Sequence, residues 1–148
     1  LRVAVNVSGR QFRQQSFPRV VAQALRDSGL EAKWLELELT ESILIQNVDR
    51  MMATISRLKQ LGVKISIDDF GTGYSSLSYL KRIDIDKLKI DQSFVRDLAS
   101  DPDDAAIVRA IIQMARSLSL RTIAEGVGTL EMLQPLREAI DVEQGALD

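Results

Sequence analysis

The chain has 148 residues, of which 45% are hydrophobic, and a formal net charge of −2, which suits one globular domain. It has no cysteine and no histidine, which excludes disulfides, thiolate sites, imidazole bases and the usual zinc ligand sets. The lack of a basic excess argues against duplex nucleic acid as a partner, and any metal ion would need oxygen ligands.

Strand-like alternation and helix-like spacing follow one another along the sequence. In chain order we predict a strand over 2–7, a helix over 17–28, a strand over 34–39, a helix over 48–61, a strand over 63–67, a short helix over 74–81, a strand over 86–91, a helix over 102–118, a strand over 121–124, a helix over 130–139 and the start of a sixth strand over 140–145. Such alternation is typical of a parallel sheet with right-handed crossovers.

The helix predicted over 102–118 has the clearest start signals in the chain. Ser100 or Asp101 can cap it, and Pro102 suits its first position. Two aspartates follow in its first turn, where the helix dipole favours negative charge.

Polar residues lie at the end of nearly every predicted strand. They are Asn6, Glu38, Asp68 with Asp69, Lys89 and Glu125. A doubly wound sheet groups its ligand residues at one switch point, whereas a (β/α)₈ barrel draws them from the ends of many strands. The distribution favours the barrel. Because only about six of the eight strands can be counted, we expect an α/β fold that forms part of a modified (β/α)₈ TIM barrel.

Asp68 and Asp69 stand between an apolar strand and the glycines Gly71 and Gly73. Two adjacent acids repel each other and lose hydration in a cleft, so a cation that offsets their charge would stabilise them. Neighbouring side chains on a regular strand point to opposite faces, so the pair can converge only where the strand is ending, and the glycines permit that turn. The alternative is an ordinary solvated turn with glycines at positive φ.

The other strand-end residues also have ordinary explanations. These are an exposed strand lysine for Lys89, a solvent-facing carboxylate for Glu38, a turn amide for Asn6 and a solvated turn acid for Glu125. If they instead surround the aspartate pair, they form a hard-cation site in which Lys89 supplies a fixed positive charge near a developing phosphate charge.

Five short motifs occur in order along the chain. They are Asn6-Val7-Ser8, Glu38-Leu39-Thr40-Glu41-Ser42, Asp68-Asp69-Phe70-Gly71-Thr72-Gly73-Tyr74-Ser75-Ser76-Leu77, Leu88-Lys89-Ile90-Asp91 and Ala124-Glu125-Gly126-Val127. Over essentially the whole chain, this set resembles the EAL domain family of phosphodiesterases, which act on the bacterial second messenger cyclic di-GMP. The resemblance implies a modified (β/α)₈ barrel that hydrolyses cyclic di-GMP to linear pGpG by in-line attack of water, with Mg²⁺ or Mn²⁺ as cofactor.

The resemblance also implies roles for individual residues. One metal ion would be held by Asn6, Glu38 and Asp68, and a second by Asp68, Asp69 and Glu125. The catalytic residues would be Lys89, which orients or polarises the attacking water, and Glu125, which shares the general-base role. Substrate contacts would come from Asp91 and Gln144. A loop that couples metal binding to dimerisation would contain Phe70, Gly71, Thr72 and Gly73, braced by Glu41.

On the same basis we expect residues 1–148 to form a single, incomplete EAL-type domain. Its expected partners are cyclic di-GMP, a second copy in a homodimer, and sensor or GGDEF-type domains attached in a longer protein. No apolar run is long enough to span a membrane. We therefore expect a cytoplasmic domain, or the cytoplasmic part of a membrane-anchored protein.

Three departures from the family pattern bear on catalysis. The sequence lacks the Glu-Ala-Leu segment with its metal-ligating glutamate, and Ala146 stands where the family usually has an aromatic residue. Gly128 occupies a position where the family commonly has a glutamate near the metal ions. These departures favour, as the alternative, a catalytically inactive domain that acts as a cyclic di-GMP receptor or a protein-interaction module.

Overall fold

Alternating strands and helices build an α/β fold in the computed structural model of the chain, which describes residues 2–70, 77–96 and 100–124. The strands are β1 (Val3–Asn6), β2 (Leu35–Thr40), β3 (Lys64–Phe70), β4 (Lys87–Ile90) and β5 (Arg121–Ala124). The α-helices are α1 (Gly9–Arg13), α2 (Phe17–Ser28), α3 (Glu41–Ile45), α4 (Val48–Leu61), α5 (Gln92–Arg96) and α6 (Pro102–Ser117). Short 3₁₀ helices occupy Ala32–Trp34 and Leu77–Lys81.

The five strands are parallel and lie in the order β1-β2-β3-β4-β5. A doubly wound sheet reverses its strand order at a switch point, whereas a (β/α)₈ barrel adds each strand beside the previous one. The observed order is therefore that of a partial barrel, as the sequence predicts. The elements predicted over 130–139 and 140–145 lie outside the described residues.

Most predicted elements are present, with some corrected bounds. The helices over 17–28 and 48–61 and the strand over 121–124 have their predicted bounds. The strand predicted over 63–67 was wrong at its end, because β3 continues to Phe70. The helix predicted over 74–81 is described only from residue 77, where it is a 3₁₀ helix. None of the described helices is both long enough and apolar enough to cross a lipid bilayer.

The helix ends follow the local sequence. Gly29 and Gly62 end α2 and α4 with φ values of 70° and 96°, a left-handed conformation that costs glycine little. At the start of α6, the cap is Asp101 rather than Ser100, since the Asp101 carboxylate accepts a hydrogen bond of 2.9 Å from the amide of Asp103. The three five-residue helices α1, α3 and α5 were missed, because segments so short show no periodicity.

One face of the sheet packs against the helices and forms the hydrophobic core. Its central side chains are 0–3% exposed: Leu37, Leu39, Ile65, Ile67, Leu88 and Ile90. Helix α4 covers them with Met51, Ile55 and Leu58, and α6 with Val108, Ile111, Ile112 and Ala115. Because side chains alternate along a strand, the charged residues between these apolar ones are directed to the opposite face.

Asp86 joins four elements at the end of the sheet where β4 begins. Its carboxylate Oδ2 lies 2.7 Å from the ammonium of Lys59 on α4 and accepts a 2.8 Å hydrogen bond from the amide of Ile65 on β3. Its own amide donates to the carbonyl of Ile65, and its carbonyl accepts from the amide of Arg121 at the start of β5. Through its side chain and backbone together, this one residue connects α4 with three strands.

Replacing Asp86 by alanine should lower the free energy of unfolding by about 2–3 kcal/mol, because a half-buried lysine and a strand amide lose their acceptor. The matched control is Asp84→Ala, since Asp84 is exposed two residues away and its loss should cost less than about 0.5 kcal/mol. Urea denaturation of both variants checks this expectation. Equal losses in the two variants would show that the Asp86 contacts do not stabilise the fold.

Candidate functional site

The register of the sheet brings the predicted polar residues onto one face. Asn6 pairs with Glu38, Glu38 pairs with Ser66, and Thr40 pairs with Asp68. Residues paired across parallel strands point to the same side, so these residues share the face opposite the helices. Ser66 also pairs with Lys87, which places Lys89, two residues further on, on that face. We call the surface formed by Asn6, Glu36, Glu38, Ser66, Asp68, Lys87 and Lys89 the polar face.

Glu38 and Lys89 form a buried ion pair on the polar face. The ammonium of Lys89 donates a hydrogen bond to Glu38 Oε1. Their side chains are only 8% and 13% exposed, so neither charge is well hydrated and each offsets the other. This finding corrects the ordinary explanations of Glu38 as a solvent-facing acid and Lys89 as an exposed lysine.

A second ion pair lies two residues closer to the start of β2 and β4. Lys87 Nζ is 2.9 Å from Glu36 Oε1, and the two side chains are 12% and 6% exposed. The contact is electrostatic, because within the described part of the chain Glu36 Oε1 accepts no hydrogen bond of suitable geometry. The sequence interpretation missed this pair. Its signal was the repeat of acid on β2 and of lysine on β4 at two-residue spacing.

Both ion pairs reach across β3, which lies between β2 and β4 in the sheet. By register, they pass on either side of Ser66, a residue that is 0% exposed. Its small side chain leaves room for the longer acids and lysines to meet. Ser66 Oγ itself has no hydrogen-bond partner among the described residues.

Asp68 and Asp69 lie in an irregular stretch of β3. Ile67 pairs with Leu88 and Phe70 pairs with Ile90, so three steps on β3 match two on β4, which defines a β-bulge. Asp69 has a φ of 53°, and its amide donates a 2.9 Å hydrogen bond to Asp68 Oδ1. The bulge therefore breaks the alternation within the strand, at an aspartate, whereas we expected the glycines after the strand to provide the turn.

Glu41 is buried beside the end of β3. It is 1% exposed, and its Oε1 accepts a 3.0 Å hydrogen bond from the hydroxyl of Tyr79. Burial of Tyr79, together with the charge of Glu41 and this hydrogen bond, raises the pKa of the Tyr79 hydroxyl well above its usual value. Tyr79 therefore keeps its proton and remains a donor to Glu41. The sequence interpretation did not identify Tyr79.

The remaining predicted residues are placed as follows. Asn6 is exposed at the end of β1. Asp91 precedes α5, and its Oδ2 accepts hydrogen bonds from the amide and the hydroxyl of Ser93. Phe70 is 1% exposed and is a core residue of β3. Gly71, Thr72, Gly73, Glu125 and Gln144 lie outside the described residues, as does Gly128.

Comparison with known proteins identifies the family. The profile of the EAL domain matches residues 1–147. The chain belongs to the EAL domain family. It is 49% identical over 138 residues to the cyclic di-GMP phosphodiesterase NbdA of Pseudomonas aeruginosa, an alignment that covers 93% of this chain and 18% of NbdA.

Solved EAL structures have the same fold. The structure of the phosphodiesterase PaMucR in complex with c-di-GMP superposes with a TM-score of 0.89 at 46% identity, covering 93% of this chain and 56% of that one. A manganese and c-di-GMP complex of Klebsiella pneumoniae BlrP1 superposes with a TM-score of 0.84 at 32% identity, covering 93% of this chain and 36% of that one. The partial barrel predicted from the sequence is thus confirmed as part of an EAL barrel.

The donor atoms of this EAL domain suit a hard cation. Glu38 and Asp68 are carboxylates of adjacent strands on one face, and Asn6 adds an amide oxygen on the next strand. Such oxygens are the ligands that Mg²⁺ and Mn²⁺ prefer. Within residues 2–70, 77–96 and 100–124, no three acidic side chains lie together as a complete metal-binding group. The polar face thus presents oxygen donors of the type that such an ion binds, and their role as ligands stays a prediction.

Lys87→Met should lower the free energy of unfolding by about 3 kcal/mol, because it leaves the carboxylate of Glu36 buried without a countercharge. Lys81→Met is the matched control, since Lys81 is exposed at the end of the 3₁₀ helix Leu77–Lys81 and forms no ion pair with the described residues. Chemical denaturation compares the two variants. A loss in the control as large as that in Lys87→Met would contradict a specific role for the ion pair.

Tyr79→Phe should lower the free energy of unfolding by about 1.5–3 kcal/mol at neutral pH, because the carboxylate of Glu41 loses a donor. The folded protein holds the Tyr79 proton more tightly than the unfolded chain does. That stabilisation is fully present below the unfolded pKa of about 10 and is lost as the pH rises above it.

The difference between wild type and Tyr79→Phe should therefore narrow above pH of about 10, as followed by denaturation across a pH series. As a control, Tyr79→Phe is also made in a Glu41→Gln background. There the substitution should lower the free energy of unfolding by less, because a hydrogen bond to an uncharged partner contributes less stability. A difference that stays constant with pH and in both backgrounds would exclude the hydrogen bond as its origin.

Proposed function

We propose that the protein containing this chain is a metal-dependent phosphodiesterase that hydrolyses cyclic di-GMP to linear pGpG. The observation that carries the proposal is the buried Glu38–Lys89 ion pair beside Asp68 on the polar face. Support also comes from NbdA, which is named a cyclic di-GMP phosphodiesterase, and from the c-di-GMP complexes of PaMucR and BlrP1. The chain spans 18% of NbdA, so residues 1–148 would be one part of a catalytic domain in a longer protein.

Two Mg²⁺ or Mn²⁺ ions would be held at the carboxyl ends of the strands. The first would take Asn6, Glu38 and Asp68 as ligands, and the second Asp68, Asp69 and Glu125. When bound, such ions act as Lewis acids that activate water and offset negative charge on the phosphodiester. Asp68 would contact both ions, a role that suits a carboxylate with two oxygens.

Lys89 would be the central catalytic side chain contributed by the chain itself. Its ion pair with Glu38 fixes the ammonium on the polar face, so little reorganisation is needed when charge develops. Lys89 would orient or polarise the attacking water, and Glu125 would share the acceptance of its proton. Asp91 and Gln144 would contact the nucleotide, with Asp91 held in place by its bonds to Ser93.

Glu41 would link the site to dimerisation. Its buried hydrogen bond with Tyr79 connects it to the 3₁₀ helix Leu77–Lys81, which comes after the predicted loop residues Phe70, Gly71, Thr72 and Gly73 in the sequence. Movement in this loop would then alter the packing around Glu41. In a homodimer, this connection would let the state of the partner affect the metal site.

A second candidate function rests on Gly128. Loss of a carboxylate near the metal ions would weaken turnover while leaving the phosphate contacts in place. The protein would then be an inactive EAL domain that serves as a cyclic di-GMP receptor or an interaction module. The two candidate functions differ in whether bound cyclic di-GMP is hydrolysed: the enzyme converts it, and the receptor does not.

The natural-length protein should convert cyclic di-GMP to pGpG with Mg²⁺ or Mn²⁺, as followed by chromatography of the nucleotides. Asp68→Asn and Lys89→Met should each lower kcat by about 100-fold or more, because charge stabilisation in the transition state is lost. Asp84→Asn is the control, since this exposed aspartate is not a residue of the polar face, and the activity of this variant should equal that of the wild type.

Equilibrium dialysis with labelled cyclic di-GMP completes the test. Binding without conversion in the wild type would favour the receptor over the enzyme. If the natural-length protein binds neither the nucleotide nor the metal ions, both candidate functions fail.

A further inference from the structure

A cavity of about 550 Å³ lies on the helical side of the protein, between α1, α2 and α4. Four arginines line it: Arg13 from α1, Arg19 from α2, and Arg50 and Arg57 from α4. None of its lining residues belongs to the polar face, and its volume falls within the range of small-molecule sites.

The charge of this cavity, which we call the arginine cavity, is not balanced locally. Its other lining residues are glutamine, serine, alanine and threonine, so no carboxylate of the described chain lines it. The whole chain carries a net charge of −2, so the four cations here are a local excess of positive charge. Like charges held together repel each other, and an anion between them would remove that cost.

Two of the arginines are held in place by hydrogen bonds. Arg50 donates from its guanidinium to the carbonyl of Arg13 at 2.7 Å, and Arg13 donates to Gln46 Oε1 at 2.6 Å. These bonds connect the end of α1 to the start of α4. The guanidinium groups of Arg13 and Arg50 are thereby ordered before any ligand arrives, which lowers the entropic cost of binding.

The other two arginines are available to a ligand. Among the described residues, neither Arg19 nor Arg57 forms a hydrogen bond through its side chain or an ion pair. Arg19 also lies in the first turn of α2, where no acidic residue is present. A cation is unfavourable at that end of a helix, and a bound anion would interact well with both the guanidinium and the helix dipole.

We propose that the arginine cavity binds a phosphate-bearing anion of about the size of a diphosphate group. Planar guanidinium groups match phosphate oxygens with paired hydrogen bonds, which ammonium groups cannot do. Four of them around one concave space can serve two adjacent phosphates. The source of the diphosphate, a free nucleotide or a lipid headgroup, is distinguished by experiment.

Calorimetric titration of the natural-length protein with pyrophosphate tests the proposal. We expect saturable binding that weakens as salt rises from about 50 mM to about 200 mM. The double variant Arg19→Gln/Arg57→Gln should lower the affinity about 100-fold, because each arginine contributes a charge-assisted contact worth about a factor of ten. Arg26→Gln is the matched control, since Arg26 lies on α2 outside the cavity and should not alter binding.

Two further measurements keep the result specific to this cavity. Asp68→Asn should bind pyrophosphate as the wild type does, which separates the arginine cavity from the polar face. A nucleoside diphosphate and vesicles of cardiolipin, a lipid whose headgroup carries two phosphates, are then added as competitors, and the one that displaces pyrophosphate identifies the source.

The proposal fails if pyrophosphate does not bind, or if it binds equally to the wild type and to a folded Arg19→Gln/Arg57→Gln variant. It also fails if neither the nucleoside diphosphate nor the vesicles displace pyrophosphate. Circular dichroism of each variant confirms that the fold is retained.

Discussion

Buried charge on the polar face has to be neutralised within the protein, because the strands and their neighbours exclude most of the water around it. Glu36 meets Lys87 and Glu38 meets Lys89, so each acid of β2 is matched by a lysine of β4. Removing Lys87, for example, would leave the charge of Glu36 buried without this ion pair, which costs far more than losing an exposed ion pair. The identities of these four residues are therefore coupled across three strands.

The two ion pairs lie at different levels of the polar face, and only one of them belongs to the proposed reaction. The Glu36–Lys87 pair lies toward the start of the strands and has no role in the proposed reaction. The Glu38–Lys89 pair lies one step nearer to the strand ends, beside Asp68, where the proposed ligands gather. The irregular backbone at Asp69 occurs at this second level only. Regular pairing below thus supports a less regular surface above, in keeping with the location of barrel active sites at strand ends.

Periodicity and end signals predicted the framework well. Gly29, Gly62 and Asp101 mark helix boundaries through local backbone chemistry, which the sequence displays directly. The position of Asp69 in a bulge could not be predicted, because a bulge depends on the register with β4. The Glu41–Tyr79 bond joins residues 38 positions apart, so only tertiary packing reveals it. The motif resemblance named the family and the candidate ligands, but not the second ion pair beneath them.

The small side chain between the two ion pairs has an evolutionary consequence. Ser66 is fully buried, and by register the acids and lysines pass it on both sides. A larger residue there would separate both pairs at once, so substitutions at position 66 should be confined to glycine, alanine and serine for as long as the four charges persist. Conversely, a homologue with a bulky residue at this position would be expected to have lost the charges as well, so that side-chain volume at one site and charge at four others vary together.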